Sequence, residues 1–133
     1  MYYKYKKIKK KMKGLTEFAK EVHQNNVDKG FYDKPVEVGT HLMLITSELA
    51  EALEADRHKI SADVETYHKD IASGQEFKIA FKDSIKDSYE DEIADAMIRL
   101  LDHCGYRGID ITFHVNEKIK YNKTREHRHG KSY

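Results

Sequence analysis

Leu42-Met43-Leu44-Ile45-Thr46-Ser47-Glu48-Leu49-Ala50-Glu51-Ala52-Leu53-Glu54-Ala55-Asp56-Arg57 decides how the rest of this chain is read. Apolar residues at 38, 42, 45, 49 and 52 keep the three-and-four spacing of a buried helical stripe. Glu48 and Glu51 sit three apart, so one face carries both carboxylates at the margin of that stripe. Carboxylates held against a core repel each other and resist desolvation, so a cation should neutralise them. Glu92-Ile93-Ala94-Asp95 repeats the device inside a second stripe: Ile85, Tyr89, Ile93, Met97, Leu100 and Cys104. Two such helices packed antiparallel bring Glu48, Glu51, Glu92 and Asp95 together around a hard divalent cation, with Mg²⁺ preferred and Mn²⁺ the alternative. A lone acidic pair on a helix is most often a solvated face. Two pairs, each bordered by apolar positions, weigh against that reading.

At 133 residues the chain suits one domain with a modest core. No strand-like alternation stands out, and a single Pro and no Trp suit an all-α protein, a four- to five-helix bundle. Small helical cores are often completed by association, so a homodimer or homotetramer is expected. No run of eighteen apolar residues occurs, and no apolar segment follows the basic start, which argues against a membrane span or a secretory leader. Cys104 is the only cysteine, and its place in an apolar stripe suggests a buried thiol in a reducing, cytoplasmic compartment.

Charge is unevenly spread. Residues 1–29 carry a net +6, residues 30–115 a net −9 and residues 116–133 a net +4. Acidic side chains between basic ends suit a cation held by carboxylates and phosphates held by lysine and arginine. They equally suit a helical domain with solvated basic tails.

Residues 1–13 interleave seven lysines with Tyr2, Tyr3, Tyr5, Ile8 and Met12, and read as a basic N-terminal extension ahead of a single helical domain over 14–133. Such a run can bind nucleic acid, but a short terminal one is more often a solvated end. A helix is expected over 14–27, with Leu15, Phe18, Ala19 and Val22 on its apolar face. Gly30 and Pro35 break the pattern, Pro35 as an early residue of the next helix, and Phe31 and Tyr32 read as a lid on the core more readily than as a base-stacking platform. The acidic helices are expected over 36–57 and 82–103, the second ending at Gly105. Between them lies a short exposed helix over 62–72. A last helix covers 110–121, with Phe113 as its core anchor. Glu65 and His68 match the pair used in di-iron bundles but lack an apolar stripe to bury them.

The tail from Glu117 to Lys131 supplies lysines, arginines, an asparagine and a glycine, all suited to phosphate oxygens. Ser-Glu-Leu-Ala-Glu-Ala-Leu-Glu at 47–54, Asp-Glu-Ile-Ala-Asp-Ala at 91–96, and Tyr-Asn-Lys-Thr-Arg with His-Gly-Lys within 121–131 together resemble the MazG-type nucleoside triphosphate pyrophosphohydrolases. These are all-α proteins related to the dimeric dUTPases. The resemblance covers about residues 15–131. It implies Mg²⁺-dependent hydrolysis of a nucleoside triphosphate to monophosphate and pyrophosphate. It carries the metal role to Glu48, Glu51, Glu92 and Asp95, and a phosphate-binding role to Lys118, Asn122, Arg125 and Lys131. Glu48 is the preferred group for orienting or deprotonating the attacking water. Ser47 stands where many members have a further Glu, and one Gly precedes Lys131 where relatives often have two. Two other classes stay open: a non-catalytic helical module binding nucleic acid through its basic ends, and a redox di-metal bundle using Glu65 and His68.

Overall fold

The computed structural model describes residues 13–126, 128 and 132. Six helices make up this part: α1 (Leu15–Asp28), α2 (Val38–Arg57), α3 (Val64–Ala72), α4 (Phe77–Ser84), α5 (Tyr89–Tyr106) and α6 (Ile111–Lys123). No strand occurs among the described residues, so the all-α expectation holds at that level. None of the described helices is long and apolar enough to cross a membrane. Residues 1–12, most of the basic extension, and Lys131 lie outside the described residues.

α5 is the central element, packed against α2 on one side and α1 on the other. α3 and α4 pack on each other, and α6 lies on α1. Side-chain caps fix three of the starts. Asp63, Ser88 and Asp110 accept from the backbone N–H groups of Thr66, Asp91 and Phe113. Each such cap contributes about 1 kcal/mol. Thr16 and Thr112 tie the starts of α1 and α6 together: each backbone N–H donates to the other's hydroxyl, at 2.9 and 3.0 Å.

The described residues form six helices where four to five were expected, because the second acidic segment is interrupted. α4 closes when the Ile85 and Lys86 N–H groups both donate to the Phe81 carbonyl. Asp87 then takes a left-handed conformation (φ 62°), and buried Ser88 caps a new helix. Ile85 therefore ends α4 instead of opening the stripe of α5. Pro35 also differs from expectation, since α2 starts only at Val38 behind the extended Glu37.

Small residues form the centre. Ala19, Ala52, Ala55, Ala80, Ala96 and Cys104 are buried, whereas Leu42, Leu49, Leu53, Met97 and Leu100 are exposed. On α2 the buried stripe is Glu48, Ala52 and Ala55, turned from the expected one so that a carboxylate falls inside it. Leu42, Leu49 and Leu53 each follow by one residue a position on the α5-facing stripe, and Ile93, Met97 and Leu100 do the same on α5. Because the helices run antiparallel, one such step, about 100°, turns both sets to the same side of the pair. That side is an apolar surface in the single chain.

Gly105 does not end α5, which continues to Tyr106 and is closed by Gly108 at φ 63°. It marks the closest approach of α1 instead: a Cβ there would lie 2.5 Å from the Ala19 carbonyl oxygen and 2.6 Å from the His23 Cβ. Gly105→Ala should therefore lower Tm by several degrees, because overpacking of about 1–3 kcal/mol exceeds a helix-propensity gain of about 1 kcal/mol. Gly39→Ala in α2, whose Cβ would meet nothing within 4 Å, should instead raise it. Thermal melts of the two variants check this, and equal behaviour would refute the close approach.

Candidate functional site

α2 brings Glu48 and Glu51 to the seam with α5, which brings Glu92 and Asp95. One carboxylate oxygen from each of Glu48, Glu51 and Glu92 lies within 4.8 Å of the others. Glu48 and Glu92 are buried, at 7% and 6% exposure, while Glu51 is open to solvent. Asp95, half-buried, lines the same two cavities as Glu48. Arg99, one turn beyond Asp95, donates from Nε to Glu48 Oε1 at 2.5 Å. Glu92 is held above the ordinary carboxylate range by desolvation and then by Glu51, Asp95 and Glu48. Asp95 is raised by desolvation, then by Asp91 and Glu48, with Arg99 opposing.

The donor set fits a hard divalent cation. Octahedral Mg²⁺ binds oxygens at about 2.0–2.1 Å, which puts pairs of ligand oxygens about 3–4 Å apart. Three carboxylates with oxygens within 4.8 Å of one another would have to draw in by about an ångström at most to meet that spacing. The protein itself supplies one guanidinium against four acids, so positive charge is still called for. A neighbouring group, Asp87, Asp91 and Glu92, is less suited. Asp87 is engaged by Lys86, and an Asp91 oxygen accepts from the Asp87 N–H.

Two cavities meet at this seam. The smaller, about 340 Å³, is lined by Phe31, Tyr32, His41, Ile98, Arg99 and Asp102 in addition to Glu48 and Asp95. The larger, about 1080 Å³, lies between the acidic seam and α4. The wall of the smaller one is fixed by a polar chain. His23 Nδ1 pairs with Asp102 Oδ1 at 3.0 Å, the Tyr32 hydroxyl donates to Asp102 Oδ2 at 2.8 Å, and the Nδ1 atoms of His41 and His103 share a contact of 3.1 Å. Burial and the Asp102 carboxylate push the Tyr32 phenol far up, so it stays a donor. Burial and His41 push His103 down. Tyr32 stacks on Tyr106, as a lid would, whereas Phe31 is 68% exposed beside the cavity.

Glu48, Glu51 and Glu92 are thus brought together, with Asp95 beside them. The described tail residues are not. Lys118 and Arg125 lie over the Tyr121 ring, and Asn122 keeps a buried Oδ1 without a hydrogen-bond partner. None of Lys118, Asn122 and Arg125 lines either cavity. Glu65 pairs with Lys69 on exposed α3, and no metal-sized group gathers around it and His68 among the described residues. Sequence reasoning missed Arg99, although its i, i+4 spacing from Asp95 was available. It also missed the His23–Asp102–Tyr32 chain, which joins residues far apart in sequence and leaves no local pattern.

Because the folded pKa values of Glu92 and Asp95 are raised, the folded state binds more protons than the unfolded chain between the ordinary and raised values. Stability therefore falls as pH rises through that window, and the full penalty is present above it. Glu92→Gln should raise Tm near pH 8 in chelator, with the gain shrinking toward about pH 4, where unperturbed Glu titrates. Mg²⁺ should raise Tm of the parent and leave that of Glu92→Gln nearly unchanged. A variant no more stable than its parent in chelator would show that burial does not strain this carboxylate. Comparison with family models, with curated proteins and with solved structures finds no match to this chain.

Proposed function

We propose that this chain is a Mg²⁺-dependent nucleoside triphosphate pyrophosphohydrolase of the MazG type, releasing nucleoside monophosphate and pyrophosphate. The observation that carries the reading is the convergence of Glu48, Glu51 and Glu92 within 4.8 Å, two of them buried, at the junction of two cavities. Glu48, Glu51, Glu92 and Asp95 would hold the cation, which when bound supplies charge neutralisation to the polyphosphate. Arg99 anchors Glu48 through Oε1. Oε2 is then left to accept the proton of a water attacking phosphorus as the bond between the α and β phosphates breaks. The aromatic cavity, with exposed Phe31 and the Tyr32–Tyr106 stack, offers a base an apolar face and Asp102 and Arg99 as polar partners. The buried Cys104 thiol, raised in pKa by burial, suits a reducing cytoplasm.

The apolar surface of Leu42, Leu49, Leu53, Ile93, Met97 and Leu100 supports a homo-oligomer, because exposed patches of this kind mark association faces. In this reading Lys118, Asn122 and Arg125, which line neither cavity, would come to the phosphates from a neighbouring copy.

A nucleotide panel with Mg²⁺, assayed separately for pyrophosphate and orthophosphate, tests the reaction. Glu51→Gln and Asp95→Asn should each lower kcat by two orders of magnitude or more, about 3 kcal/mol, with helical content unchanged. Near-full turnover in the double variant would refute the site. Sedimentation should find an oligomer at micromolar concentration, and Leu49→Asp should shift it toward monomer. A folded parent that is monomeric there would refute the association face.

A further inference from the structure

The larger cavity is lined by carboxylates and by lysines, two of which make no ion pair among the described residues. Glu48, Glu51, Glu92 and Asp95 line it from the α2–α5 seam and Lys78 and Lys82 from α4, over Phe81, Ile85 and Ile98, while Lys86, Asp87, Glu90 and Asp91 line it where α4 gives way to α5. Lys78 and Lys82 are four residues apart, so one face of α4 carries both, and Lys86 follows in the turn after the helix. Like charges at that spacing destabilise a helix slightly, and no local acid offsets the first two. Lys86 is held by Asp87. Lys78 and Lys82 make no ion pair among the described residues, although seven carboxylates line the same cavity. Ammonium groups that face carboxylates across a gap without closing onto them leave room for a ligand that is anionic toward α4 and cation-bound toward α5.

We propose that Lys78 and Lys82 form a polyphosphate-binding wall, holding the β and γ phosphates of the substrate while the carboxylates hold its metal. The inference rests on the proposed function and specifies its phosphate site. It places that site on α4 of the same chain, a helix that the tail-based expectation did not include. Ammonium groups suit this ligand because they act as mobile point charges toward oxygens whose positions vary. They cannot ligate the cation, so their contribution is separable from that of the carboxylates.

The test is calorimetric titration of the full chain with inorganic tripolyphosphate and Mg²⁺, repeated with a nucleoside triphosphate carrying a methylene group between the α and β phosphates. Replacing both lysines (Lys78→Ala with Lys82→Ala) should weaken tripolyphosphate binding by about tenfold or more, equivalent to at least about 1.4 kcal/mol. The nucleotide analogue should weaken by a similar factor. Replacing both by Arg should restore most of the affinity, and Lys69→Ala on α3 should have no effect. Mg²⁺ affinity without phosphate should be unchanged in the double alanine variant. Both lysines are solvent-exposed helix positions, and circular dichroism will verify that the variant folds. A parent that does not bind tripolyphosphate, or a double variant that binds tripolyphosphate within about twofold of the parent, well under 1 kcal/mol, overturns the wall. Loss of tripolyphosphate affinity alone would mark a free-polyphosphate site and overturn its assignment to the nucleotide. If the lysines govern both ligands but no nucleotide is hydrolysed, the wall stands and the proposed reaction falls.

Discussion

The antiparallel seam between α2 and α5 is the constraint on which the other features depend. Glu48 and Glu92 face each other across it in nearly full burial, an arrangement that costs several kcal/mol per unpaired ion in a protein interior. The helices meet there all the same, because Ala52, Ala55 and Ala96 allow close backbone approach and good packing on either side. Arg99 offsets part of the penalty through a single charge-assisted bond to Glu48. The remainder appears as the raised affinity of Glu92 and Asp95 for protons. A group that holds protons against its own chemistry also competes for other cations, which links packing directly to the chemistry of the site.

The same seam divides the molecule into two sides. On one, the carboxylates open onto both cavities. On the other, the leucines of α2 and the Ile93–Met97–Leu100 stripe of α5 remain uncovered. This division follows from helical geometry: a step of one residue on each antiparallel helix turns both toward one side, and a step of three turns both toward the other. α1 fixes the far side of α5 through the contact at Gly105, so α5 is clamped and α2 keeps a free flank. The polar chain from His23 through Asp102 to Tyr32 then ties α1, the loop after it and α5 into one wall. That wall is held by side chains whose polar atoms are satisfied by one another, which favours a defined cavity shape.

α3 and α4 stand apart from this frame, packing chiefly on each other. Their position over the acidic seam sets the charge contrast of the larger cavity. The acidic excess of residues 30–115 is therefore not a uniform property of the middle of the chain. It is concentrated on α5 and the facing part of α2, with a basic helical face opposed to it.

The sequence by itself determined the helical class, the approximate extents of α1, α2 and α6, and the pairing of Glu48 and Glu51 with Glu92 and Asp95. Each of these rests on spacing within one helix, where the 3.6-residue period converts order in the chain into position on a face. The break at Asp87–Ser88 was not legible, because Ile85 and Tyr89 continue the apolar spacing and only a left-handed residue and a buried cap interrupt it. The helical role of Gly105 was hidden for a related reason. A glycine late in a helical pattern reads as a terminator unless another helix is known to touch it. Tertiary structure alone decided that Glu48 falls inside the buried stripe, that Arg99 meets it and that Lys118 and Arg125 line neither cavity. Which face of a helix is buried depends on its partner, and on α2 the small-residue stripe of Ala52 and Ala55 won over the leucine stripe of Leu42, Leu49 and Leu53 because α5 packs closely against it.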